Sequence, residues 1–518
     1  METKINPENA VRRGPRILRR LLLGLAWLIT LVVLIYGEEN WRGGRAWEKY
    51  RSAHEALGQQ LDLARFVPKS VPDEQNFGAA TAKYFFSTNG GMWNADNYTL
   101  ADTKVTSSGN SRLFIDLPAW ASAFDAVAAG TIKTQVHFKS ATLDAASRAA
   151  AAPAVLRGLQ TNEAVLAELK VASRLPLSVY PVKFQLENPW GILLPHLSAI
   201  KGAALRWQLR ACAELALGQS DAALEDIELI LRLSESLKGE SFIISYLVRA
   251  ACVQLAVQPI WEGLSEHRWT EAQLARLQAR LEGYSFLEDL QAPLATERAA
   301  GVATGDLLHR NKYRMTDLFD AGNMGSGGEF LNLVARAMPG GWYHLEQLNY
   351  CRLFEGQLQD TYDPLQKRVW PGRVDRNAHE LEREISGSAG SNHRVAAIVL
   401  HHRLLSSMLL PALGNLTRKA AAVQTATDQA ALACALERVR LATGKLPAGL
   451  EEAASRFKGP VPHDIITGEP FRYRRLSDEQ FVLYSVGWNE KDDGGVAGKK
   501  PFDEKEGDWV WENVAEKR

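Results

Sequence analysis

The chain has 518 residues, with 60 Lys plus Arg against 60 Asp plus Glu, a formal net charge of zero, and 46% apolar residues. Charge balance excludes a globally basic nucleic-acid binder, because phosphate recognition needs a cationic surplus. The apolar content excludes general disorder, and a chain this long is expected to hold on the order of two to four domains.

Residues 1–16 form a polar, basic tail with Lys4, Arg12, Arg13 and Arg16. An apolar run follows, from Ile17 to Tyr36. Its uncharged part, Leu21 to Tyr36, covers ~24 Å as a helix, and Arg19 and Arg20 complete a span if they snorkel to the headgroups. The basic flank precedes the run and Glu38-Glu39 follows it. The positive-inside rule therefore places the N-terminus in the cytoplasm and sends the rest outward. We expect a transmembrane anchor over 17–37, in the inner membrane, with the bulk of the chain periplasmic or otherwise extracytoplasmic. A cleaved signal peptide is the rival reading, against which Leu34-Ile-Tyr-Gly37 makes a poor small-x-small cleavage site.

Residues 38–140 are expected to hold a juxtamembrane helix and an irregular segment. Trp41 and Trp47 suit either an interfacial belt or a core. A helix over 44–65 ends near Pro68, and Arg112-Leu-Phe-Ile-Asp-Leu117 reads as a strand among Gly, Asn and Ser turns. From 141 to 411 the pattern is helical. Asp144 to Arg174 is alanine-rich with a break at Pro153, and 176–195 is extended and proline-punctuated. Helices are expected over Ala203–Leu217, Ser220–Leu237, Ser241–Leu264, Thr270–Leu281 and Ser285–Val302. Thr270 and Ser285 stand as N-caps. Short links between such helices make antiparallel hairpins, hence a helical bundle or short solenoid.

The hairpin within 203–237, Ala211-Cys-Ala-Glu-Leu-Ala-Leu-Gly-Gln-Ser-Asp-Ala-Ala-Leu-Glu-Asp226, resembles one tetratricopeptide unit, with Leu217-Gly218 at the turn and Ala222-Ala-Leu224 opening the second helix. The resemblance implies that two helices pass closely at Gly218. Glycine-rich loops and a helix over Tyr343–Leu358 fill 303–392. His401-His402-Arg403 then argues against a second span in the apolar stretch Val395–Leu405.

The last segment, 412–518, is expected to form a long helix and a small antiparallel sheet. Leu432, Ala435, Leu436 and Val439 recur at helical spacing, and Gly444 and Pro447 stop the helix. Two strands, Phe471–Leu476 and Gln480–Val486, flank a turn at Ser477-Asp-Glu479. In order, Arg440-Leu-Ala-Thr-Gly-Lys-Leu-Pro447, Pro462-His-Asp-Ile-Ile-Thr-Gly-Glu-Pro-Phe-Arg-Tyr473, Phe481-Val-Leu-Tyr-Ser-Val-Gly487 and Asp508-Trp-Val-Trp511 resemble the C-terminal domain of type II secretion major pseudopilins. The resemblance covers about the last 90 residues. It implies a pseudopilin-like α+β module, and calcium in the acidic loop through Asp492, Asp493 and Asp508. Asn489 stands where the family has Asp. The pseudopilin processing site is absent, so polymerisation is not implied. The whole chain also resembles uncharacterised membrane-anchored bacterial proteins.

Catalytic motifs are wanting. There is no G-x-S-x-G, H-E-x-x-H, P-loop or G-x-G-x-x-G. Cys212, Cys252, Cys351 and Cys434 are far apart without a CxxC pair, so zinc is not expected, and buried single thiols are the simpler reading even for Cys212 and Cys252. Glu297-Arg298 and the group His393, His401 and His402 are loose polar candidates. The fold class is thus mainly α, with an N-terminal transmembrane helix and a small C-terminal α+β module. The function expected is a membrane-anchored, non-enzymatic interaction or assembly factor with a protein partner, linked to secretion or pilus-like machinery. The alternative is an envelope hydrolase with its cleft between 66–140 and the helices.

Overall fold

In the computed structural model, which describes residues 14–86, 113–129, 144–160, 163–310, 336–386 and 400–512, the apolar run opens α1 (Gly14–Ala56), a single helix of 43 residues. At 1.5 Å per residue it is ~65 Å long, about twice a hydrocarbon core. Its apolar side chains from Leu18 to Tyr36 are exposed, whereas Trp47 and Tyr50 are buried in the body. One half is long and apolar enough to cross a bilayer, and the other half is built into the fold. The two tryptophans divide accordingly: Trp47 is core, while Trp41 is 66% exposed under the Arg45 guanidinium.

The outer half of α1 lies on α12 (Gly340–Leu358), which it meets through glycines. A β-carbon on Gly43 would sit 2.2 Å from the Gly341 carbonyl oxygen, and one on Gly341 would sit 2.0 Å from that of Glu39. No side chain fits either position without moving backbone. Asn40 Oδ1 accepts the Gly341 N–H at 2.7 Å beside this crossing.

The helical body continues through α2 (Phe77–Phe85), α3 (Leu117–Ala128), α4 (Ala145–Leu159), α5 (Glu163–Ala172), α6 (Pro195–Ala216), α7 (Ser220–Ser236), α8 (Ile243–Ser265), α9 (Glu271–Glu282), the short α10 (Phe286–Asp289) and α11 (Gln291–His309). The strand expected at 112–117 does not form. Leu113–Asp116 runs as coil into α3 because its backbone groups serve α8: Gln258 Nε2 donates to the Leu113 carbonyl at 2.8 Å, and Ile115 N–H donates to Glu262 Oε1 at 2.8 Å. The break expected at Pro153 is also missing. Pro153 is solvent-exposed inside α4, and burial of Ala152, Val155 and Leu159 outweighs one absent hydrogen bond. Thr270 does cap α9, in a reciprocal box with Gln273. Ser285 makes no capping bond; the Phe286 N–H instead donates to Gln424 Oε1 at 2.7 Å.

α6 and α7 pack as the expected hairpin, but Gly218 has another role than close approach. A β-carbon there meets nothing within 4 Å, and its φ of +76° identifies a left-handed turn that favours glycine. α8 is a second helix apolar enough to cross a bilayer by length and composition, yet it is packed among α6, α7 and the long helix α15 (Leu416–Thr443).

The chain after α12 makes a two-residue ladder of β1 (Tyr362–Asp363) and β2 (Arg368–Val369), then α13 (Pro371–Ser386), α14 (Leu404–Leu409), α15 and α16 (Leu450–Ala454). Between Ala420 and Glu437 almost every side chain of α15 is buried, as expected of a helix packed on all sides. It is flanked by α8 and α9 and also by a three-stranded antiparallel sheet, β3 (Arg472–Arg475), β4 (Phe481–Ser485) and β5 (Trp509–Glu512). Gly444 ends it with φ +80°, as its position required. In β4, Phe481, Leu483 and Ser485 are the more deeply buried alternation, and Leu483 faces Trp511 across the ladder while Ser485 faces Trp509. The two tryptophans therefore do not lie over the sheet as a lid; they are its third strand. One continuous apolar core reaches from Trp47 to Trp511.

Candidate functional site

The acidic loop comes first, since the sequence singled it out. It runs from Gly487 to Asp508 and packs over the Val482 and Tyr484 side of the sheet, where Gly495 lies against both side chains. Gly494 and Gly495 take φ of +75° and +82°, which lets the loop fold back on Asp508. Asp508 Oδ1 accepts the Asp493 N–H at 3.1 Å, and Oδ2 accepts the Gly495 N–H at 2.6 Å. Asp492 Oδ1 accepts the Tyr484 hydroxyl at 3.1 Å and the Gly494 N–H at 3.0 Å, and Asp493 Oδ2 accepts Asn489 Nδ2 at 2.9 Å. Burial pushes the Asp508 carboxyl up, the two N–H donors pull it down, and the charges of Asp492 and Asp493 push it up again. The three carboxylates share one loop, and at least one oxygen of each accepts a hydrogen bond. A hard cation needs several converging oxygens, and among the described residues no group of three His, Cys, Asp or Glu side chains is placed to hold a metal.

The residue that organises this end of the molecule is Asp464, in the Pro462-His-Asp motif. It is fully buried, accepts the Ile466 N–H at 2.9 Å and the Ser485 hydroxyl at 2.8 Å through Oδ1, and accepts the Val486 N–H at 3.2 Å through Oδ2. One carboxylate therefore closes the turn and fixes the end of β4. The motif carried this signal, and the function of its Asp was not legible from spacing alone.

Where the exposed apolar half of α1 gives way to its packed half, Glu39 ties the helix to the body. His402 Nε2 lies 2.7 Å from Glu39 Oε1, and Arg42 Nη2 lies 2.7 Å from Oε2. Burial works against the charge of Glu39, but Arg42 and His402 outweigh it and hold the carboxyl below its ordinary range. Five residues after Gly341, Glu346 is buried and accepts the first N–H groups of α14, from Leu404 and Leu405, both at 3.0 Å. His401 is exposed, and His393 lies outside the described residues. Arg298 pairs with Glu355 at 2.9 Å and not with its neighbour Glu297.

Two buried polar groups have the composition of reactive centres. Arg148, on α4, bridges Glu262 and Glu266 of α8 with all three side chains largely or wholly out of water, and Phe114 lies under the guanidinium at 4.4 Å. His196, Glu240 and Ser245 meet in the core, with His196 Nε2 2.8 Å from Glu240 Oε1 and Ser245 Oγ donating to Glu240 Oε2 at 2.7 Å. The serine faces the carboxylate and not the imidazole, so the base that would activate a nucleophile is not beside it. All four cysteines are buried and unpaired, and burial pushes the Cys252 and Cys351 thiols up to about 12. The surface carries open grooves. One of about 850 Å³ runs between the end of α12 and α13 beside Arg376 and Arg403.

Compared with known proteins, the chain matches no family model, no curated protein and no solved structure. Its function must be read from its own geometry.

That geometry does fix one solution property. Burial raises the carboxyls of Glu214 and Glu346 to about 8 and those of Asp428 and Glu297 to about 7. A carboxyl raised on folding stabilises the protonated native state fully below its unfolded value, and this is lost as pH rises through the folded value. The melting temperature should therefore fall between about pH 5 and pH 9. A flat or rising profile over that window would contradict these burials.

Proposed function

We propose that this is a single-pass, membrane-anchored envelope protein that acts as an interaction or assembly factor rather than as an enzyme, in association with secretion or pilus-like machinery. The observation that carries the reading is α1. The same helix presents nineteen residues' length of exposed apolar surface from Leu18 to Tyr36 and then runs into the core at Trp47 and Tyr50. Its seat on α12 is set by two glycines and by Asn40, Glu39 and His402, so the body is held at a fixed angle and height to the membrane. Fixed presentation serves recognition of a partner in the same membrane. The basic flank puts the N-terminus in the cytoplasm and the body outside. The C-terminal sheet on α15 supports a pseudopilin-like docking module, one that stays with its own anchor and does not polymerise.

A reporter fused after Arg518 should be active only outside the cytoplasm. After crosslinking in intact cells, the detergent-extracted protein should carry a stoichiometric envelope partner. Reporter activity in the cytoplasm would overturn the topology, and turnover of envelope substrates by the purified chain would overturn the non-enzymatic role.

A further inference from the structure

We infer that the groove between α5, α7 and α9 is a docking site for an acidic segment of a partner protein. This rests on the interaction-factor reading above and names the chemistry of what is bound. The groove encloses about 620 Å³, within the ~300–1,000 Å³ usual for specific sites. Its wall carries Lys170 and Arg174 at the end of α5, Arg232 on α7, and Arg276 and Arg280 on α9. Its carboxylates are Glu225 and Glu228, and Glu235 stands beside it, paired with Arg280 at 2.9 Å. Five cations against three anions is a local surplus on a chain of zero net charge.

The pairing shows which charges are spoken for. Lys170 meets Glu225 at 2.8 Å, and Arg276 meets Glu228. Arg232 donates to the backbone carbonyls of Ser173 at 3.1 Å and Leu175 at 2.7 Å and makes no direct ion pair among the described residues. Burial pushes it down from the usual arginine range, and the charge of Glu235 offsets this only in part. Arg174 is exposed and has no ionic partner among the described residues, and Arg280 Nε is buried with no acceptor among them. The unsatisfied demand is therefore for oxygen acceptors bearing negative charge.

The carboxylates along α7 decide the class of ligand. A polyphosphate or nucleic-acid backbone carries charge at every unit and would lie against Glu225 and Glu228, a repulsion that costs affinity. An acidic peptide can place a carboxylate at Arg174, Arg232 and Arg280 and neutral residues opposite the glutamates. The ion pairs at the groove rim are exposed and individually weak, so they can re-partner.

The test uses the full chain in detergent and a fluorescein-labelled Glu-Ser repeat peptide, followed by anisotropy. Binding is expected, weakening as salt rises, and falling ~10-fold or more in Arg174→Glu. Arg174 is exposed and partnerless, so its reversal leaves the fold intact; Arg280→Gln should weaken binding without reversing charge. No binding of the Glu-Ser peptide, equal binding of a Lys-Ser peptide, unchanged affinity in both variants, or tighter binding of inorganic polyphosphate each overturns the inference. A chain that still captures its envelope partner while ignoring the peptide would keep the broader function and remove this groove from it.

Discussion

Replacing Arg148 by alanine should cost about 3–5 kcal/mol of stability, the largest effect expected of any single change in the helical body. Arg148 is almost wholly buried and bridges two glutamates of α8. Burial already pushes the Glu262 carboxyl up, and the guanidinium is the chief group pulling it back. Without it, Glu262 keeps the neutral donors Ile115 N–H, Gln258 Nε2 and the Cys212 thiol and takes up a proton or loses its place. The coil over Leu113–Asp116 and the whole α3–α4 hairpin are tied to α8 through this point, so they should loosen together. Urea unfolding of the full chain in detergent measures the loss. The double change Arg148→Met with Glu262→Met should recover most of it, because an apolar pair removes the uncompensated charge. A loss below about 1 kcal/mol for Arg148→Ala would mean that the network is not structural in this sense.

Asp464→Ala should cost about 3 kcal/mol or more, since it strands the buried Ile466 and Val486 N–H groups and the Ser485 hydroxyl at once. The loss should be local before it is global. Amide exchange ought to accelerate first in β4 and β5, while α6 and α7 keep their protection. Asp464→Asn retains one acceptor oxygen and turns an NH₂ towards the remaining donor, so it should fall between the two. Unchanged exchange in β4 for Asp464→Ala would show that the turn is held by something other than this carboxylate.

Local chemistry was the readable part of the sequence. Thr270 with Gln273, Gly444 before Pro447, and Ser477 in a hairpin turn, where its hydroxyl accepts the N–H groups of Glu479 and Gln480, each act within a few residues of themselves. The apolar period of α15 was legible as a stripe, but its burial on every side was not. Alanines such as Ala420, Ala426 and Ala430 are neutral in pattern and become core only because α8, α9 and the sheet all close on them. Distance in sequence hid the polar centres. Arg148 sits in an alanine-rich helix where an arginine reads as surface, and its partners lie more than a hundred residues away. Glu39 and His402 are separated by 363 positions. The strand expected before Leu117 failed for the same reason, since its hydrogen-bonding groups belonged to Gln258 and Glu262. For the acidic loop, the sequence places Asp492 and Asp493 beside Gly494 and Gly495, but that Asp508 accepts the Asp493 and Gly495 N–H groups shows only in the fold.

The unbroken course of α1 gives the protein a rotational register. A helix advances by about 100° per residue, and no flexible joint separates Tyr36 from the crossing at Gly43 and Gly341. The exposed apolar face that carries Trp27 and Leu34 is therefore locked in azimuth to the face that the body turns towards its surroundings. One residue inserted between Gly37 and Glu38 would swing those two faces about 100° out of alignment, breaking the bond from the Tyr36 hydroxyl to the Ala337 carbonyl but sparing the contacts made from Glu38 onward. Four residues would bring them back to within about 40° and raise the body by about 6 Å. The apolar half of α1 and the body thus behave as a key with its bit at a set angle on the shank.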